Sequence, residues 1–153
     1  MRRAREQFKH FKVRGITWMQ GESDGANATY AANMNTLLGS LNTDIKATTL
    51  QSEDVWMLSY QLPRAKIGLE QLKASDTYSK IRVAMPMYHL PTTDTVHLTA
   101  ASSKIAGAYF GLAYKAIVLD GNTSWQPLKC TANSVASTVI DLTYNPVGAL
   151  TLD

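Results

Sequence analysis

The sequence predicts an α/β fold, a parallel sheet with helices on both faces in three α/β/α layers. Three observations predict it. Short apolar, β-rich runs alternate with amphipathic helical patterns between residues 15 and 118. Two of the runs are closed by Pro63 and Pro86, residues that cannot donate to a sheet ladder. The polar loops that carry reactive side chains follow strands, so they converge on the carboxyl edge of the sheet, where open α/β sheets bind ligands.

In chain order, residues 2–12 read as a helix carrying Phe8 and Phe11, broken at Gly15. Gly15–Met19 is the first buried strand. Tyr30, Met34, Leu37, Leu38 and Leu41 share one face of a helix running to about Asn42, with Thr29 as its N-cap. Val55–Leu62 is the second strand, and Arg64–Lys73 the next helix. Ile81–Met85 is the third strand, and the loop from Met87 to His97 follows it. Leu98, Ala101, Ile105, Ala108, Leu112 and Ala116 recur at helical spacing and define the apolar face of a further helix capped by Thr99. Gly107 and Gly111, one turn apart, would let that helix approach a neighbour closely. Beyond Gly121 the composition shifts to Thr, Ser, Val and Asn. Val135–Leu142 and Ala149–Leu152 then read as two strands around a Tyr-Asn-Pro-Val-Gly turn, with Trp125-Gln126-Pro127 packing them on the domain. Residues 1–120 thus form the α/β domain, and 121–153 a trailing β segment packed on it or leading to a following domain.

The chain's 153 residues suffice for one domain with a sizeable core, and 45% hydrophobic with 18% charged residues excludes a disordered chain. No apolar run reaches membrane-spanning length, and the basic N-terminus lacks the apolar region of an export signal. Residues 1–14 hold six basic side chains against Glu6, so the rest of the chain is net acidic despite an overall +3. Basic residues confined to one segment do not make a nucleic-acid surface. Cys130 is the sole cysteine, which precludes an intrachain disulfide.

The chemistry concentrates in Trp18-Met19-Gln20-Gly21-Glu22-Ser23-Asp24-Gly25, between the first strand and its helix. Read alone, this loop serves equally as a solvated turn. Its Trp-x-Gln-Gly-Glu-Ser-Asp pattern resembles the third sequence block of the sialate O-acetylesterase and acetylxylan esterase group of the SGNH hydrolase superfamily. Asp94-Thr95-Val96-His97-Leu98 resembles that superfamily's Asp-x-x-His block, in the same order and at a plausible separation. The resemblance implies a flavodoxin-like fold and serine-mediated removal of acetyl groups from a glycan, without metal or organic cofactor. His97 can hold and return a proton near neutral pH, and Asp94 can fix its tautomer. Without the resemblance, the pair reads as a turn-capping aspartate beside a surface histidine. The resemblance places Gln20 as an oxyanion donor, with Gly21, Ser23 and Asp24 lining the substrate side. Glu22 either orients His97 in place of Asp94 or braces the loop. His89 with Asp94 and His97 matches no metal-site spacing, and Trp18, Trp56, Tyr60 and Tyr88 are candidates for a sugar-stacking platform.

One part of the pattern is missing. No Gly-Asp-Ser or Gly-Gln-Ser block occurs, and only 17 residues precede Trp18. The expectation is therefore the C-terminal part of the family's domain, weakly active or inactive in isolation. Its open Gly15–Met19 edge would be covered by residues 1–12, by the C-terminal strands, by a missing N-terminal segment or by a second copy. Gly21-Glu22-Ser23-Asp24-Gly25 also fits the Gly-x-Ser-x-Gly elbow of α/β-hydrolases, with Ser23 as nucleophile. Against that, the elbow's helix should begin directly after the serine. From a different class, the chain reads as a non-catalytic glycan-binding or structural module of a larger surface or tail assembly. A glycan substrate would place it outside the cell or on its surface.

Overall fold

The computed structural model describes residues 11–25 and 27–145. It holds a three-stranded parallel sheet of β1 (Gly15–Trp18), β2 (Trp56–Gln61) and β3 (Ile81–Pro86), in the order β1-β2-β3. β2 and β3 are buried along nearly their whole length, including Met57, Leu58, Tyr60, Val83 and Met85, because a parallel sheet is covered on both faces. A bulge between Ser59 and Tyr60 shifts the β2–β3 register just before the chain reaches the carboxyl edge.

The crossovers are α1 (Tyr30–Thr49) and α2 (Ala65–Thr77), which pack on each other. With strands in sequential order, right-handed crossovers place both on one face. α1 runs past the predicted stop at Asn42 because Ile45 continues the buried face of Met34 and Leu38. Thr29 sits at its N-cap without capping it through the side chain; its amide and hydroxyl donate instead to Asn27 Oδ1. α2 follows an unusually close turn. A Cβ on Gly68 would lie 2.3 Å from the carbonyl oxygen of Leu62, so only glycine fits there. Gln71, buried in α2, accepts from the Leu62 amide and donates to the Gln20 carbonyl, tying two loops at the carboxyl edge.

α3 (Ala100–Tyr114) packs on β3 and β2 as the third layer, capped by Thr99 Oγ1, which accepts from the Ser102 amide. It continues into a π-helical turn over Lys115–Leu119. Its buried face differs from the one periodicity predicts. Ser102, Ala106, Phe110, Ala113 and Ile117 face the sheet, whereas Ile105 and Leu112 are 46% and 60% exposed. The buried stripe combines one large side chain, Phe110, with the small Ser102, Ala106 and Ala113. No described atom lies within 4 Å of a Cβ added at Gly107 or Gly111, so the expected close helix packing is not formed among the described residues.

The C-terminal region forms a hairpin of β4 (Cys130–Ala136) and β5 (Val139–Tyr144), not the single strand expected over Val135–Leu142. Ser137, in the left-handed region at φ 56°, turns the chain with Thr138. The sequence offers no Gly or Asn there to announce it. The second expected strand, Ala149–Leu152, and most of the helix expected over 2–12 lie outside the described residues. Trp125 packs against the core, and Asn145 ties the hairpin base to Pro127 and Lys129. β1 has no partner on its outer edge among the described residues, and the hairpin pairs only with itself.

Candidate functional site

The loop after β1 is shaped by two glycines in conformations that side chains resist. Gly21 has φ 128° and is enclosed: a Cβ there would meet Ile67 Cγ2 at 2.8 Å. Gly25 has φ 53°. Between them the chain folds back on itself, with the Asp24 amide donating to the Gly21 carbonyl at 3.1 Å.

Gln20, Glu22 and Asp24 each have a fixed partner. The Gln20 carbonyl accepts from Tyr30 Oη at 2.6 Å and from Gln71 Nε2 at 3.0 Å. Its side-chain amide accepts from Tyr30 through Oε1 and donates through Nε2 to Asp24. One amide hydrogen of Gln20 therefore serves the loop itself. Glu22 Oε1 accepts from the hydroxyl of Tyr60, which burial and the adjacent carboxylate hold protonated far above the usual tyrosine range. Arg64 Nη1 donates to the Glu22 carbonyl at 3.2 Å. Tyr30, Tyr60 and Gln71 are the residues sequence reasoning missed. The available signal was chemical: a buried tyrosine hydroxyl or amide in an apolar element needs a partner.

The loop after β3 builds its own frame. Thr92 bridges to Leu98, the Thr93 amide donates to the His97 carbonyl, and Ser102 Oγ donates to the Pro91 carbonyl at 2.7 Å. Inside this frame Asp94 does two things at once. Its Oδ1 accepts from the backbone amides of Val96 and His97 at 2.9 and 2.7 Å, capping the turn. Its Oδ2 lies 2.8 Å from His97 Nδ1. Asp94 thus caps the turn and contacts the imidazole at once. The backbone bond from His97, then the ring, hold the Asp94 carboxyl well below the usual carboxylate range. The bond to Asp94 pushes the His97 imidazole up from its ordinary value, with a smaller contribution from the charge of Glu22.

The two loops follow the carboxyl ends of the parallel strands β1 and β3, so both open at the same end of the sheet. Asp94, not Glu22, touches the imidazole; Glu22 is held by Tyr60. Ser23 is exposed in the turn, has no hydrogen bond to His97, and precedes the start of α1 at Tyr30 by a further loop. His89 lies apart from His97, edge-on between Tyr88 and Tyr109. No group of three metal-ligating side chains occurs among the described residues. Of the proposed aromatic platform, Trp56 and Tyr60 are core residues and Trp18 is half-buried against it, while Tyr88 is 71% exposed. A concavity of about 460 Å3 opens at the amino end of the sheet between Lys12, Trp56, Lys80 and Ile117.

No curated protein and no solved structure matches the chain. A family model described as carbohydrate esterase, sialic acid-specific acetylesterase, matches residues 1–116. That span contains both loops and every strand and helix that positions them, through α3. The chain belongs to the sialic acid-specific acetylesterase family of carbohydrate esterases.

Proposed function

We propose that the protein takes part in hydrolysing acetyl esters on a glycan, with His97 as general base and Asp94 as the group that orients it, by the serine-based mechanism of SGNH hydrolases. The observation that carries this is the 2.8 Å contact between His97 Nδ1 and Asp94 Oδ2. It leaves Nε2 as the nitrogen that takes the nucleophile's proton and returns it to the leaving alcohol. Asp94 stabilises the imidazolium between those two transfers. The Gln20–Asp24 loop lies beside the reacting centre, where the second amide hydrogen of Gln20 is a neutral donor for the oxyanion. Ser23 and Asp24 form the substrate-facing wall, Gly21, expected there too, is enclosed behind it, and Glu22 braces it through Tyr60.

The family's Gly-Asp-Ser block is not among these 153 residues, so the chain supplies a base and its support rather than a complete triad. Hydrolysis of p-nitrophenyl acetate by the chain should therefore be slow, should fall to the buffer rate in His97→Ala, and should survive in Ser23→Ala. Robust turnover lost in Ser23→Ala would overturn this assignment in favour of the elbow reading. The second reading, a non-catalytic glycan-binding or structural module, is favoured by the 78% exposure of the His97 side chain. A His97→Ala rate equal to that of the unaltered chain supports that reading.

A further inference from the structure

A second concavity, about 410 Å3, opens between the carboxyl ends of β2 and β3 and the base of the hairpin. Its volume lies in the range of small-ligand sites. Two tyrosines line it. Tyr88 comes from the loop that carries His97, and Tyr144 from the end of β5; they are 71% and 44% exposed. Neither ring is needed to fill the core. Tyrosine combines a rigid apolar face with a polar tip, the combination that contact surfaces favour.

Both rings are set on braced supports. Tyr88 meets His89 edge-on with centroids 5.9 Å apart, and His89 meets Tyr109 of α3 at 5.8 Å. On the other side, Asn145 Oδ1 accepts from the Lys129 amide at 2.6 Å and Nδ2 donates to the Pro127 carbonyl at 3.0 Å, which fixes the chain next to Tyr144. The remaining polar lining includes Gln61, Gln126, Ser75 and the Asp76–Lys129 pair. Lys129 Nζ lies 2.6 Å from both carboxylate oxygens of Asp76, so the charges of the lining cancel. Open ring faces match the C–H faces of a pyranose, and side-chain amides match its hydroxyls. An anionic sugar would have to compete with Asp76 for the lysine.

We propose that this cleft is a subsite for neutral sugar residues of the glycan chain, seated between Tyr88 and Tyr144 outside the ester-cleaving centre. It rests on the glycan reading above, but its test requires no hydrolysis. Xylohexaose and cellohexaose are titrated into the full 153-residue chain, with 3′-sialyllactose as the anionic comparison, and followed by calorimetry and amide chemical shifts. Saturable binding of a neutral hexaose, weakened at least tenfold in Tyr88→Ala and in Tyr144→Ala and retained in Tyr88→Trp, supports the subsite. So do chemical shifts centred on residues 126–130 and Tyr144, a readout that stands if an alanine variant fails to fold. Absent binding of both hexaoses, tighter binding of 3′-sialyllactose, alanine variants of unchanged affinity, or shifts confined elsewhere overturns it. Hexaose binding that persists in a chain whose slow ester hydrolysis is unchanged by His97→Ala would sink the catalytic reading and leave the subsite standing.

Discussion

At the residue scale the central object is the pairing of Asp94 with His97. Its two groups titrate in opposite directions. The raised imidazole pKa contributes stability fully present below the ordinary value of 6.5 and lost as pH rises through the raised one. The depressed carboxyl contributes stability present above 3.8 and lost as pH falls through the lowered one. Both side chains are more than half exposed, so the folded state gains little from the pair. Reactivity is where it registers, because only the neutral imidazole accepts a proton. Asp94→Asn should bring the His97 midpoint, read from its ring proton shifts, down towards 6.5. It should also move the rising limb of any His97-dependent rate in the same direction. An unchanged midpoint would show that Asp94 does not act on the ring. Asp94 and His97 were legible in the sequence through their resemblance to the Asp-x-x-His block, since spacing alone left them a turn cap beside a surface histidine. The contact of Tyr60 with Glu22 was not legible, because it spans 38 positions.

At the scale of elements, strands and crossover helices followed from alternating composition, and α3 shows where that reasoning ends. Periodicity alone picks the stripe through Leu98, Ile105 and Leu112 as the buried face. The fold buries the stripe through Ala106 and Phe110 instead, letting small residues bring the helix close to the sheet. Phe110→Ala should accordingly destabilise the protein by about 3–5 kcal/mol, whereas Leu112→Gln should change stability by no more than about 0.5 kcal/mol. Urea unfolding of the two variants checks this, and a reversed order would restore the face the sequence suggested. The hairpin was half legible: its β-rich composition was visible, but its turn was not. Reversal at Ser137 uses a residue with no strong preference for positive φ.

At the scale of the whole molecule, the hairpin stands apart from the core. Register places Val135, Ile140 and Leu142 on one face, and all three are more than half exposed. Two strands alone are at best marginally stable in water, so the anchors at the hairpin base matter more than the ladder. The segment leading to it is held differently. Arg82, buried on β3 beneath the Trp56 ring, donates at 2.7 Å to the Ser75 carbonyl and at 3.1 Å to the Thr123 carbonyl. Burial lowers the pKa of its guanidinium, and the nearby charge of Asp76 partly opposes the shift.

This guanidinium makes the folding unit longer than the unit of homology. The family match stops at residue 116, seven residues before the carbonyl that Arg82 uses. A protein cut at that boundary would keep both loops yet strand half of a buried cation's bonds and lose the core residues Ile117 and Val118 together with Trp125 packed against them. It should be less stable than a protein cut after Lys129 by at least about 3 kcal/mol, measured as the difference in urea unfolding free energy. Equal stabilities would show that the segment after α3 merely rests on the domain. Anyone excising the esterase domain for expression should therefore place the cut by Arg82 and Lys129, and not by the limits of the sequence family.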